Sequence, residues 1–170
     1  LLQKTPYRVK SAVLGGAITR FNIQSKMLLT LGRMVKNVTP YMWLYAIFAQ
    51  IIMPKSNHKR SRNIFISEAK KMKRENFLDW FHVIRHVRKT YRTVHHVKVQ
   101  KLYISGREDR LFINNLEQDI KADANAQLVI LEKCGHVCNI EKADDFNSVS
   151  MAFLLQHRDH VDLGAIAHMN

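Results

Sequence analysis

The sequence predicts an α/β fold in which three short parallel strands with flanking helices are interrupted by an all-helical insertion. Three observations carry that prediction. β-prone runs stand at Val9–Leu14, Val99–Ser105 and Gln127–Glu132. The last two are separated by one helical stretch, the spacing of a βαβ unit, so they form a parallel pair with a right-handed crossover. Between the first two, residues 18–97 are helical in period and different in charge. Residues 18–98 hold 17 Lys/Arg against Glu68, Glu75 and Asp79, a net +14. Residues 1–17 hold three basic residues and no acid, and residues 99–170 hold seven against 11 acids, a net −4. Such a jump marks an inserted module.

Composition narrows the class. The 170 residues are 46% apolar and 24% charged, within the globular range. Six Gly and three Pro exclude collagen-like and Pro-rich chains, and two Cys four residues apart cannot staple a fold. The longest apolar stretch, Tyr41–Met53, includes Gln50 and falls short of the roughly 18–20 residues of a membrane span. A cytoplasmic protein is expected. The net charge of +13 points to nucleic acid, an anionic membrane surface or an acidic partner.

In chain order, Leu1–Thr5 reads as the last turn of a helix. Pro6 precedes the first strand, and Gly15-Gly16 stop it. Helices are expected over Gln24–Lys36 and, after Pro40, over Tyr41–Met53 until Pro54. Lys55–Arg62 reads as a polar, basic loop. One long helix is expected from Ser67, as N-cap, to Val94. At 100° per residue it puts Phe77, Trp80, Phe81, Ile84, Val87, Tyr91 and Val94 on one apolar face. Arg85, Arg88, Lys89 and Arg92 form a basic stripe on its flank. After the second strand, Leu111–Ala124 and Asp144–His157 read as helices, the latter with Phe146, Val149, Phe153 and Leu154 inward.

Chemistry concentrates in two loops at the carboxyl ends of the second and third strands, where parallel sheets build their sites. The first is Ser105-Gly106-Arg107-Glu108-Asp109-Arg110, and the second is Lys133-Cys134-Gly135-His136-Val137-Cys138. A carboxylate on one strand end and an imidazole on the next can meet. The acid then fixes the tautomer of the ring and stabilises the imidazolium formed during acyl transfer.

These segments resemble the C-terminal end of α/β-hydrolase fold enzymes. There a Gly-x-x-Asp turn supplies the acid, matched by Gly106 and Asp109, and a Gly-His pair supplies the base, matched by Gly135-His136. Asn139-Ile140-Glu141-Lys142 and Asp145-Phe146-Asn147 resemble the approach to the family's last helix. Pro6–Leu14 resembles the family's sixth strand, after which a helical cap is inserted. The resemblance implies a sixth strand over 1–17, a cap over 18–97, a C-terminal core over 98–158 and a tail over 159–170. It also implies that Asp109 and His136 are catalytic, and that Gly15, Gly16 and Val137 lie at the substrate-binding mouth.

One departure matters. The family's nucleophile stands in a Gly-x-Ser-x-Gly elbow, and none occurs here. The expectation is therefore that these residues are the C-terminal portion of a longer serine hydrolase, inactive alone, whose N-terminal half completes the fold. Its substrate would be a small carboxylic ester or lactone. The alternative is a non-catalytic basic binding module on a degenerate hydrolase fold, taking an anionic membrane surface or an acidic partner. No cofactor and no metal are expected, since Cys134-x-His136-x-Cys138 lacks the second ligand pair of a zinc site. His82 and His86 lack the adjacent Glu of a zincin and face away from the apolar face. A nucleic-acid partner is set aside because the aromatic residues of the basic segment lie apart from its charges. An anionic membrane surface fits its basic flank, its apolar face and the apolar Tyr41–Met53 helix better.

Overall fold

A computed structural model of the chain describes residues 1–84 and 86–157, the Phe81 side chain excepted. The three strands are β1 (Ser11–Gly15), β2 (Gln100–Gly106) and β3 (Ala126–Leu131). They form one parallel sheet in the order β1-β2-β3, with Val13 beside Leu102 and Ser105 beside Ile130. β1 therefore pairs on one side only among the described residues.

Between β1 and β2 lie α1 (Ile23–Val35), α2 (Tyr41–Ile52), α3 (Lys59–Ala69), α4 (Arg74–Ile84) and α5 (Val87–His95). After β2 come α6 (Ile113–Ile120), then, beyond β3, α7 (Cys138–Glu141) and α8 (Ala143–Gln156). The α/β class and its three parallel strands stand as the sequence predicts.

Alternation along β2 builds the core. Leu102 and Ile104 point to one face and pack with Leu131, Cys134, Cys138 and Phe153, with Phe146 and Val149 of α8 alongside. Tyr103 points to the other face and packs with Leu116 and Ile120 of α6 and with Tyr91 of α5. Lys101 is fully buried on β2. Its ammonium donates to the carbonyls of Val97 (2.7 Å) and Val99 (2.9 Å) and lies 3.3 Å from an Asp123 carboxylate oxygen. The helices between β1 and β2 have a core of their own, in which Leu44 and Phe48 meet Phe77.

Local chemistry sets the helix ends. Asn22 caps α1, its Oδ1 accepting from the Ser25 amide at 2.8 Å. α2 begins after Pro40 and stops before Pro54.

Two expectations fail in this segment. The basic stretch read as a loop holds a short 3-10 turn, Ser56–His58, and most of the first turn of α3. Ser67 is no N-cap: it sits inside α3, and its hydroxyl donates back to the Ile64 carbonyl. The single long helix is in fact three. Four of the five residues in Lys70–Arg74 are basic, and like charges three and four apart oppose a helix. The Tyr41 hydroxyl also takes the Met72 carbonyl as its acceptor, at 2.9 Å.

Phe77 and Ile84 are buried as expected, whereas Trp80 is 44% exposed and covers its remainder against other residues of the helical segment around a cavity. Arg88, Lys89 and Arg92 are exposed, and Arg85 and the tail beyond His157 lie outside the described residues. On α8, Phe153 is buried but Leu154 is exposed.

Candidate active site

The exits of β2 and β3 are knitted together by their backbones. The Arg107 amide donates to Leu131 O at 2.9 Å, and the Glu108 amide donates to Cys134 O at 2.8 Å. Gly106 makes this approach possible, because a Cβ there would run into the carbonyl oxygens of Cys134 and Gly135. The chain then turns through Asp109, whose amide donates to Gly106 O at 3.1 Å. Its carbonyl accepts from Ile113 at 2.9 Å and so opens α6.

This geometry brings Asp109 and His136 together. His136 Nδ1–H donates to Asp109 Oδ2 at 2.8 Å. The carboxylate is almost completely buried, while the ring keeps 18% of its surface exposed. With Nδ1 committed as donor, Nε2 is the nitrogen left to exchange a proton. The ring packs against Phe112 with centroids 5.2 Å apart.

His136 also forms part of the wall of a cavity of about 210 Å³. Leu111, Phe112, Ile18 and Phe21 line one side of it, and Leu28, Tyr45, Phe48, Phe77 and Trp80 line the helical side. This wall carries no ionisable group that is charged at neutral pH, and burial pushes the Tyr45 phenol further up, to about 12. Ser25 lines the cavity too, but its hydroxyl donates to Asn22, with Oδ1 at 2.8 Å.

Gly15, Gly16 and Val137 are not among the residues lining this cavity. Gly15 sits under the ring of Phe146. Gly16 has φ +58°, and a Cβ there would meet the His136 carbonyl, so it lets the end of β1 abut the His136 loop. Val137 precedes α7 and accepts at its carbonyl from the amides of Ile140 and Glu141, both at 3.0 Å.

The neighbouring carboxylate, Glu108, faces the helical segment. It accepts from Lys55 Nζ (2.6 Å), Asn57 Nδ2 (3.0 Å) and His58 Nε2 (2.8 Å). Chiefly the Lys55 ammonium, then Asn57 and with them His58, hold its carboxyl down to about 2 against the opposing effect of burial.

His58 is wholly buried, and its Nε2 also lies 3.6 Å from Glu141 Oε2. Glu141 in turn accepts from the Gly135 amide at 2.7 Å and from the Ser61 hydroxyl at 3.2 Å. The His136 loop is thus tied through Glu141 to the start of α3. The sequence reading missed this cluster. Its members appeared there only apart, as Glu108 in the acid loop, the basic stretch Lys55–Arg62, and Glu141 in the approach to the last helix.

The two cysteines are buried and unpaired with each other. Burial raises the Cys134 thiol to about 12 and also raises that of Cys138, which leaves neither as a nucleophile at neutral pH.

No protein-family model matches the chain. Solved structures do. An esterase from Exiguobacterium antarcticum superposes with a TM-score of 0.68 at 13% identity, over 90% of this chain and 61% of its own. An α/β hydrolase from a Medee basin deep-sea metagenome library gives 0.62 at 17% identity, over 90% and 58%. A meta-cleavage product hydrolase from Pseudomonas fluorescens gives 0.60 at 22% identity, over 91% and 58%. The chain spans about three fifths of the length of the structures it matches, and its fold is a partial α/β-hydrolase fold.

Proposed function

We propose that this partial α/β-hydrolase fold supplies the acid and the base of a serine hydrolase that cleaves a carboxylic ester or lactone by acyl transfer. The observation that carries the reading is the 2.8 Å contact from His136 Nδ1 to the buried Asp109, made at the wall of an apolar cavity. Asp109 holds the ring so that Nε2 can accept a hydroxyl proton and later deliver it to the leaving alkoxide. The lining favours an apolar acyl part, which agrees with esterases among the structures of the same fold.

The nucleophile comes from outside residues 1–170. These contain no Gly-x-Ser-x-Gly, and the cavity's own Ser25 spends its hydroxyl on Asn22. Residues 18–97 act as the cap that closes the cavity. Gly15 and Gly16 shape the site from the end of β1, with Gly16 setting how closely it approaches the His136 loop, and Val137 does so from within that loop.

The test measures hydrolysis of a short-chain p-nitrophenyl ester by three proteins. They are the 170-residue chain, a longer protein that joins it to a Gly-x-Ser-x-Gly half, and that longer protein with His136→Ala. Turnover only by the second is expected. Serine-dependent turnover by the chain alone, or full activity after His136→Ala, overturns the assignment.

A further inference from the structure

Two helices of the basic segment are apolar on both sides. The inner faces of α1 and α2 close the cavity with Leu28, Leu29, Tyr45 and Phe48. Their outer faces should be polar if solvent were the only neighbour, and they are not. On α1, Ile23, Met27, Leu31 and Met34 recur at spacings of four, four and three, all of them more than half exposed. On α2, Trp43, Ile47 and Ile51 recur at spacings of four, with Trp43 70% exposed. Met27, Leu31 and Ile51 line one shallow groove, so the two stripes form a continuous surface.

Charge decides what such a surface meets. Residues 18–67 contain eight Lys/Arg and no Asp or Glu. Lys26 lines the outer groove of α1 beside Ile23, Met27 and Met34, and Lys26 and Arg33 are both exposed. A second copy of the chain, meeting this face by two-fold symmetry, would set positive charge against positive charge. An anionic lipid surface offers acyl chains for the stripe and headgroups for the flank. No helix among the described residues is long and apolar enough to cross a membrane, so the fit is to the interface.

We propose that the outer face of α1 and α2 docks on anionic bilayers, with Trp43, Ile47, Ile51, Met27 and Leu31 entering the headgroup boundary and Lys26 and Arg33 pairing with lipid phosphates. The proposal does not depend on the acyl-transfer reading. It keeps the apolar Tyr41–Met53 helix of the sequence reading, which is α2, and puts α1 in place of the basic flank of the long helix.

The test is flotation of the 170-residue chain with phosphatidylcholine vesicles, with and without phosphatidylglycerol. Binding is expected to the anionic vesicles alone and to weaken with salt. Lys26→Gln with Arg33→Gln is expected to weaken it about thirtyfold, and Leu31→Ser with Ile47→Ser at least about tenfold. In a Trp80→Phe background, Trp43 emission is expected to shift to the blue on binding. Equal binding to both vesicles, or none, overturns the proposal, as does binding that leaves Trp43 emission unchanged or ignores both double substitutions. A dimer that Leu31→Ser with Ile47→Ser dissociates assigns the face to a second copy and also overturns it.

Discussion

β2 and α2 both supply residues to the core, and the fold treats their two faces in opposite ways. β2 lies between two strands and under helices on both faces, and six of its seven residues are buried, Lys101 included. α2 buries only Leu44, Phe48 and Ala49, while Trp43, Ile47 and Ile51 stand in solvent. A central strand consumes both of its faces in the core, whereas a helix of a small insertion can bury one. Surplus apolar surface therefore accumulates in the helical segment, and the sheet retains none on β2. The same division separates two adjacent carboxylates. Asp109 turns into the sheet side and meets His136, while Glu108 turns outward to Lys55, Asn57 and His58.

That division can be broken at several places. The largest effect is expected from Asp109→Asn in a longer protein that turns over ester. It should lower kcat by about 10⁴, as loss of the orienting carboxylate does in serine hydrolysis generally, whereas Glu108→Gln lowers it far less. Equal losses would mean that the acid has been assigned to the wrong residue. Next, Leu102→Ala on β2 should cost about 3–5 kcal/mol in denaturant unfolding, because a central strand cannot collapse around the gap.

His58→Ala should cost about 2 kcal/mol. It removes a buried donor from Glu108 while leaving Lys55 and Asn57 in place. Glu108 also has a pH signature. Its carboxyl is held at about 2, below its unfolded value, so the stability it contributes is full above about pH 4.5 and is lost as pH falls toward 2. Unfolding followed across that window should be less acid-sensitive in Glu108→Gln. The smallest effect belongs to the exposed face: Ile47→Ser should change stability by no more than about 0.5 kcal/mol. A cost near that of Leu102→Ala would show that the face is packed in solution.

How legible all this was in the sequence follows the same line. The strands were readable to within a residue or two, since β-prone runs end at Gly15 and Gly106. Asp109 and His136 were readable because each sits at a fixed offset from a glycine: Gly106, where the backbone of the next loop leaves no room for a Cβ, and Gly135, which the side chains of Glu141 and His58 crowd. The segment between β1 and β2 was harder. The reading ran one helix through Lys70–Arg74, although four basic residues there oppose it, and the capture of the Met72 carbonyl by Tyr41 adds a tertiary reason for the break. The Glu108–His58 contact joins residues 50 apart, and no local spacing encodes it. The cavity draws its walls from both regions, so its lining could not be read until the helices had been placed.

The bond from Glu141 to the Gly135 amide, shared with Ser61 and His58 of the segment, has a thermodynamic consequence. The residue before the base is held by a side chain that α3 also holds, and α3 packs on α2. Through this bond, a shift of the helices reaches the loop that carries His136, and where the two are coupled, linkage makes the exchange symmetrical. If anionic vesicles tighten the binding of a substrate analogue against His136 by some factor, the analogue must tighten attachment to the vesicles by that same factor.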